Sequence, residues 1–299
     1  MNTTHLFVSG LGSLLMLAAS PAGAQDAKPP ALRTDLNEQV VMLPVKGSYS
    51  TELETTLFKP GGDGPFPLVV INHGKASGNP RFQERARYTL ISGEFVKRGY
   101  LVALPMRRGF SKSGGGYVEP GCNITSNGLM QADDIKAVLD VLVKRPDVDP
   151  QRIVVIGQSH GGLTTLAFGT MNYPGVRGLI NFAGGLAFGR TGPISSCQWD
   201  LSLTAAFGNY GKTTTIPSLW FYGDNDSYWG PGPELPKRMH DAYVKSGGKA
   251  QLVLFGVFED GDAHGMIQKR AGLKIWVEPV DEFLNSIGMP AAGRKPVAP

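Results

Sequence analysis

Short, mostly apolar runs recur along this chain, and segments with apolar residues three and four apart separate them. Residues 68–72, 100–104, 152–157, 176–182, 216–222 and 251–255 are the apolar runs, each closed by Gly, Pro, Asn or Asp within a few positions. That pattern predicts strands covered on both faces. Residues 40–45 and 51–58 alternate instead, predicting two half-exposed strands that open the sheet in antiparallel fashion. Helical spacing follows the runs. It predicts helices over residues 81–98 (stopped by Gly99), 128–145, 163–168, 234–245 and about 267–287. The helix over 128–145 is the clearest, with Ile135, Val138, Leu139 and Leu142 on one face. Strands alternating with helices imply an α/β fold, a mostly parallel, doubly wound sheet of about eight strands with helices on both faces. Residues 184–215 have no strong period and read as an insertion. Residues 25–38 read as a loose lead-in, and the Ala/Pro/Gly-rich end from about residue 289 as a flexible tail. One domain over residues 25–288 accommodates all of this.

One strand carries chemistry. Residues 152–157 run directly into Gly157-Gln158-Ser159-His160-Gly161-Gly162, and Leu163 begins a helix. In this strand–turn–helix context a G-x-S-x-G serine is forced into a strained, exposed position at the sheet's C-terminal edge. In a chain with 40 glycines the pentapeptide alone means little, so the flanking elements carry the inference. A serine hydroxyl needs a base, and the base needs an acid to hold its tautomer. His264 follows the last predicted strand, and Asp226 follows the strand ending at Tyr222, so both side chains fall at the same edge as Ser159. Asp224 and Asp262 are the other carboxylates within reach. His73, His160, His240 and His5 fit the base position less well, because they precede the elbow, adjoin it, or lie in a helix or the leader. Two main-chain donors are expected for an oxyanion: the amide of His160, after the serine, and that of Lys75, in the loop after residues 68–72. Trp199, Phe207 and Tyr210 in the insertion, and Tyr228 and Trp229 beside Asp226, are candidates for an apolar pocket.

The remaining features set the context. Residues 6–19 form an apolar run too short to span a bilayer, and Ala22-Gly23-Ala24 offers a small-residue cleavage site. Residues 1–24 therefore read as an export signal, which places the mature chain outside the cytoplasm, secreted or periplasmic, with no stable membrane insertion. A net charge of +4 with Lys and Arg scattered gives no basic stripe, so nucleic acid is not expected as a partner. The two cysteines, Cys122 and Cys197, lie in Gly/Ser/Asn-rich loops, where an exported chain would bridge them. No cluster has metal-ligand spacing, no Gly-x-Gly-x-x-Gly opens a helix, and Gly211-Lys212-Thr213 lacks the earlier glycine of a phosphate loop, so neither metal nor cofactor is expected.

Asp134, Val138-Leu-Asp140, Asp149-Pro-Gln-Arg152 and the elbow resemble the α/β-hydrolase branch that holds dienelactone hydrolases and prolyl-oligopeptidase-type serine hydrolases. So do Arg107-Arg-Gly109-Phe-Ser-Lys-Ser113-Gly114, the Gly223-x-x-Asp226 loop and His264-Gly265. The resemblance spans residues 65–287 and implies Ser159, Asp226 and His264 as a triad. Dienelactone hydrolases carry cysteine where this chain has Ser159. The resemblance thus implies a serine esterase acting on small-molecule esters, ahead of a prolyl-oligopeptidase-type peptidase or a non-catalytic binding protein on the same fold.

Overall fold

The computed structural model describes Met1 and residues 30–46, 50–119, 121–187 and 197–292. Apart from Met1, the expected export signal lies outside them. By contact density the chain divides into Met1–Ala31 and Leu32–Pro299, and the sheet, its helices and the site all belong to the second unit.

Eight strands form one sheet in the order β1-β2-β4-β3-β5-β6-β7-β8. They are β1 (Gln39–Lys46), β2 (Ser50–Phe58), β3 (Phe66–Asn72), β4 (Leu101–Pro105), β5 (Val148–Gln158), β6 (Val176–Phe182), β7 (Ser218–Tyr222) and β8 (Ala250–Leu254). The β1–β2 and β2–β4 pairings are antiparallel, and the other five are parallel. The parallel strands therefore all end at one edge. Successive residues point to opposite faces, and the core divides accordingly. Leu68, Val70, Ile153, Val155 and Trp220 pack on one side, Val69, Ile71, Val154, Ile156 and Phe221 on the other. The first side is covered by α2 (Ile124–Leu142), α3 (His160–Gly169), α4 (Trp199–Gly211) and α5 (Glu234–Lys245). The second is covered by α1 (Thr89–Lys97) and α6 (Leu273–Ser286). Burying each such Leu, Ile or Val stabilises by roughly 1.5–3 kcal/mol.

The structure departs from the expected elements where side chains outcompete helical spacing. Of residues 81–98 only Thr89–Lys97 is α-helical, preceded by a 3-10 turn at Pro80–Phe82. Between them the chain is held out of helix by two arginines that converge on one buried carboxylate. Arg85 reaches Glu38 Oε1 at 2.8 Å and Thr56 Oγ1 at 2.7 Å, and Arg87 pairs with Glu38 Oε2. Tyr88 then takes φ 38°, which breaks the helical path before α1. α2 begins a turn early because Asn123 caps it, accepting from Ser126 N at 2.9 Å. The expected insertion contains α4, whose periodicity is blurred because it packs against both α2 and α5 and so buries more than one stripe. The strand over Ser50–Phe58 is buried from Leu53 onward, since β2 lies inside the sheet rather than at its rim. Residues 263–272 form 3-10 turns ahead of α6. The start of the expected tail touches the core: Tyr100 Oη donates to the Pro290 carbonyl at 2.9 Å, and the Ala292 amide to Asp281 Oδ1 at 2.9 Å. The rest of it lies outside the described residues.

Cys122 and Cys197 are bonded, with their Cα atoms 5.1 Å apart, joining the loop before α2 to the segment ahead of α4. The closed loop spans a sequence separation of 75. Replacing both with serine is expected to lower unfolding free energy by about 2–4 kcal/mol. Urea melts without reductant check this, and superimposable curves for the two proteins would refute it.

Candidate active site

The site grows out of the turn between β5 and α3. Ser159 has φ 56° and ψ −125°, a strained conformation for a residue with a side chain. Two glycines make it attainable. A Cβ on Gly157 would fall on the Gly161 carbonyl, and one on Gly161 would fall on the Asn72 carbonyl and within 2.7 Å of that of His73. The strain is held from several directions. Ser159 N donates to Phe182 O at 3.0 Å, and its own carbonyl accepts from Gly162, Leu163 and Gly185 at 2.8, 3.2 and 3.0 Å. With Gly162 and Leu163 bonded back in this way, the amides of His160 and Gly161 have no partner among the described residues, as expected of a first helical turn.

The loop after β3 lies alongside, because β3 and β5 pair in register up to Asn72 and Gly157. Its amides are accounted for one by one. Gly74 N donates to Tyr88 Oη at 3.0 Å, and Ala76 N to Gln83 Oε1 at 2.9 Å. The Lys75 amide, between them, has no partner among the described residues. Gln83 Nε2 also donates to Gly74 O at 3.2 Å, so the irregular segment ahead of α1 braces the loop. The Lys75 ammonium donates to Ala76 O and Gly78 O.

Asp226 and His264 stand in the loops after β7 and β8. His264 Nδ1 lies 3.0 Å from Asp226 Oδ2 and 3.1 Å from Oδ1. Asp226 is buried, and its Oδ1 accepts from the amides of Tyr228 (2.8 Å) and Trp229 (3.1 Å). A carboxylate on Nδ1 fixes the proton there and leaves Nε2 as the acceptor. Of the three carboxylates open in the sequence, Asp226 alone bonds the imidazole among the described residues. Asp262 ties the two loops together, accepting Ser227 N (3.0 Å), Ser227 Oγ (2.5 Å) and His264 N (2.9 Å). Those bonds, with the field of His264, hold its carboxyl below the usual range against the opposing effect of burial. Gln158 Nε2 donates to the His264 carbonyl at 2.9 Å, joining the elbow to the same loop.

Ser159 and His264 line one cleft of about 650 Å³, together with Lys75, Phe82, Tyr88 and Tyr228. No hydrogen bond joins Ser159 to His264 in this structure. Tyr228 covers the imidazole, ring centroids 4.4 Å apart. The other candidate pocket aromatics are placed elsewhere. Trp229 is buried, its Nε1 donating to Ala183 O at 2.7 Å, and Trp199 packs against it at 6.2 Å between centroids. Neither lines the cleft. Phe207 and Tyr210 are core residues, with Tyr210 Oη bonded to the carbonyls of Ile124 and Thr125.

Two further histidines lie behind the cleft. His160 Nε2 is 2.8 Å from Asn127 Oδ1, and Asn127 gives its own N–H groups to the Val118 and Glu119 carbonyls. Nε2 therefore carries the proton. His73 Nε2 accepts from Arg107 N at 3.1 Å, so its Nδ1 donates to Gly74 O at 2.7 Å. Burial, reinforced by Arg107, holds both well below the ordinary histidine value. Tyr88, Gln83, Gln158 and Asn127 brace the site, and sequence reasoning missed them all. Each acts through side-chain bonds to residues outside its own element, which leave no periodic or motif signature.

The profile of the X-Pro dipeptidyl-peptidase (S15) family matches residues 47–190. A protein of Escherichia coli O157:H7, uncharacterized protein YfhR, is 33% identical over 124 residues, 41% of this chain and 40% of that protein. The chain thus spans well under half the length of this curated relative. Among solved structures, the Pyrococcus furiosus esterase Pf2001 superposes with a TM-score of 0.61 at 17% identity, over 86% of this chain and 96% of that one. Thermogutta terrifontis esterase 2, phosphoramylated by tabun, gives 0.57 at 20%, over 86% and 97%. A puromycin-hydrolyzing peptidase of Mycobacterium tuberculosis gives 0.63 at 18%, over 90% of this chain but 43% of the peptidase.

The neutral histidines set a pH dependence. In the unfolded chain His73 and His160 take up protons near pH 6.5, whereas in the fold they remain neutral well below it. Their contribution to stability is complete above that pH. It is lost as pH falls below it, by about 1.4 kcal/mol per pH unit for each. Urea melts from pH 7.5 to 5.5 check the slope, and ring nitrogen shifts of the two histidines should stay constant over the same range.

Proposed function

We propose that this chain, an α/β-hydrolase by fold, is an exported serine hydrolase that cleaves carboxylic esters of small molecules through an acyl-enzyme. The observation that carries the reading is the Asp226–His264 pair. An imidazole held by a buried carboxylate through Nδ1 has no partner on Nε2 among the described residues, and lies in the same cleft as a serine on a strained elbow.

In this reading His264 Nε2 takes the Ser159 proton as Oγ attacks the ester carbonyl, and Asp226 stabilises the imidazolium that forms. Charge on the carbonyl oxygen is met by two of the main-chain amides that have no partner among the described residues, those of His160 and Lys75. His264 then gives its proton to the departing alcohol, and water repeats the sequence to free the acid. Tyr228 limits the movement of the imidazole and forms part of the substrate wall.

Two observations bear on ester against amide. The chain matches nearly the whole length of the two esterases but less than half of the puromycin-hydrolyzing peptidase, which supports ester cleavage by a small open site. The S15 family match favours peptide cleavage as the second reading. Export is supported by the Cys122–Cys197 bond and by the leader pattern of residues 1–24.

Organophosphates probe this chemistry directly, as the tabun adduct of the Thermogutta esterase illustrates. A fluorophosphonate is expected to label this protein at one site, with labelling lost in Ser159→Ala. Asp226→Asn and His264→Gln should lower kcat on a p-nitrophenyl ester by about 10³- to 10⁴-fold with intact folding. Comparing p-nitrophenyl esters of graded acyl length with matching anilides separates esterase from peptidase. Well-folded protein that neither labels nor turns over would favour a binding protein.

A further inference from the structure

Behind the loop that carries the Lys75 amide lies a guanidinium whose charge the mechanism above does not use. Arg107 is fully buried. Its Nη1 donates to the His73 carbonyl at 2.7 Å, and its Nε to Gln131 Oε1 at 2.6 Å. Its main-chain amide donates to His73 Nε2 at 3.1 Å. Each of these bonds goes to a neutral acceptor. The carboxylate whose field reaches Arg107 is Asp134, which is bonded by Arg108 through its amide (2.8 Å) and Nε (2.7 Å). Burial lowers the Arg107 pKa to about 10, which still leaves it charged at neutral pH. Arg108 itself is only half-buried, and with His73 and His160 neutral the group of Arg107, Arg108 and Asp134 sums to two guanidinium charges minus one carboxylate, a net charge of +1.

A buried cation without a carboxylate of its own is costly, so its position demands a reason. The His73 carbonyl that receives Nη1 is the same one that lies against the Cα of Gly161, one residue past the His160 amide. Two residues further along the same loop is the Lys75 amide. Arg107 thus fixes the peptide unit that sets the spacing between the two oxyanion donors.

We propose that Arg107 is a positioning residue for the oxyanion: it anchors the His73 carbonyl, and so the Lys75 amide, and holds a positive charge behind the place where negative charge develops. This rests on the serine hydrolase reading above. A charge that appears only in the transition state gains more from such a field than a neutral ester does. The effect therefore falls on kcat rather than KM.

The test uses p-nitrophenyl acetate and an aryl boronic acid, whose serine adduct is an anionic tetrahedron. In Arg107→Gln, kcat is expected to fall about 100-fold with KM within about threefold. Boronic acid affinity should fall in parallel with kcat/KM. Arg107→Lys, which restores charge without the planar fork, should recover at least about tenfold of the loss. Gln131→Leu removes one of the two side-chain bonds that hold the guanidinium while leaving its charge, and should lower kcat about three- to tenfold, a second readout if Arg107→Gln does not fold. Wild-type kcat in folded Arg107→Gln, no gain in Arg107→Lys over Arg107→Gln, or no kcat change in Gln131→Leu would each overturn the proposal. Those outcomes with normal wild-type labelling and turnover overturn this inference alone, whereas a wild type that neither labels nor turns over overturns both readings.

Discussion

The bond between a buried carboxylate and a partly exposed imidazole is the interaction around which this molecule is arranged. Asp226 and His264 come from loops after different strands, so their contact requires β7 and β8 to end side by side. It also requires the two loops to be tied to each other, which Asp262 does through Ser227 and the His264 amide. The elbow joins the same assembly through Gln158. Three loops at one sheet edge thus form a single hydrogen-bonded unit, and the strain at Ser159 persists because its neighbours on every side are already committed.

Much of this was legible from residue patterning, and the limits have physical causes. The parallel strands were readable because a run such as Val69 to Ile71 is apolar on both faces, which only a doubly covered sheet demands. The elbow was readable because glycines at 157 and 161 have no substitute where backbone meets backbone. Residue patterning favours Asp226 but keeps Asp224 and Asp262 as alternatives. All three occupy loops at the correct edge, and side-chain direction is set by contacts distant in sequence. The segment from 81 to 88 misled for a related reason. Its spacing suits a helix, but Arg85 and Arg87 gain more from the Glu38 carboxylate than from helical geometry.

The aromatic residues teach the same lesson. Trp199, Phe207, Tyr210 and Trp229 have the composition of a pocket wall, yet all four serve packing, and of the five candidate aromatics Tyr228 alone lines the cleft. Trp229 is committed by its indole N–H, which needs the Ala183 carbonyl once the ring is buried. Composition says that large apolar surfaces exist. Which of them face a cavity depends on where polar handles find partners.

Glu38 carries a consequence for the chain's beginning. It stands just before β1, accepts from the Arg33 amide at 2.8 Å, and anchors the arginines that pin the strip bearing Gln83 and Tyr88 against the loop after β3. The lead-in ahead of the first strand is therefore scaffolding for the cleft that Ser159 and His264 line, although it contributes no residue to that cleft. A trimmed version starting at residue 40 would keep nearly all of the sheet, α1 to α6 and the Ser159, Asp226 and His264 side chains, yet surrender the tether that steadies one wall of the cleft.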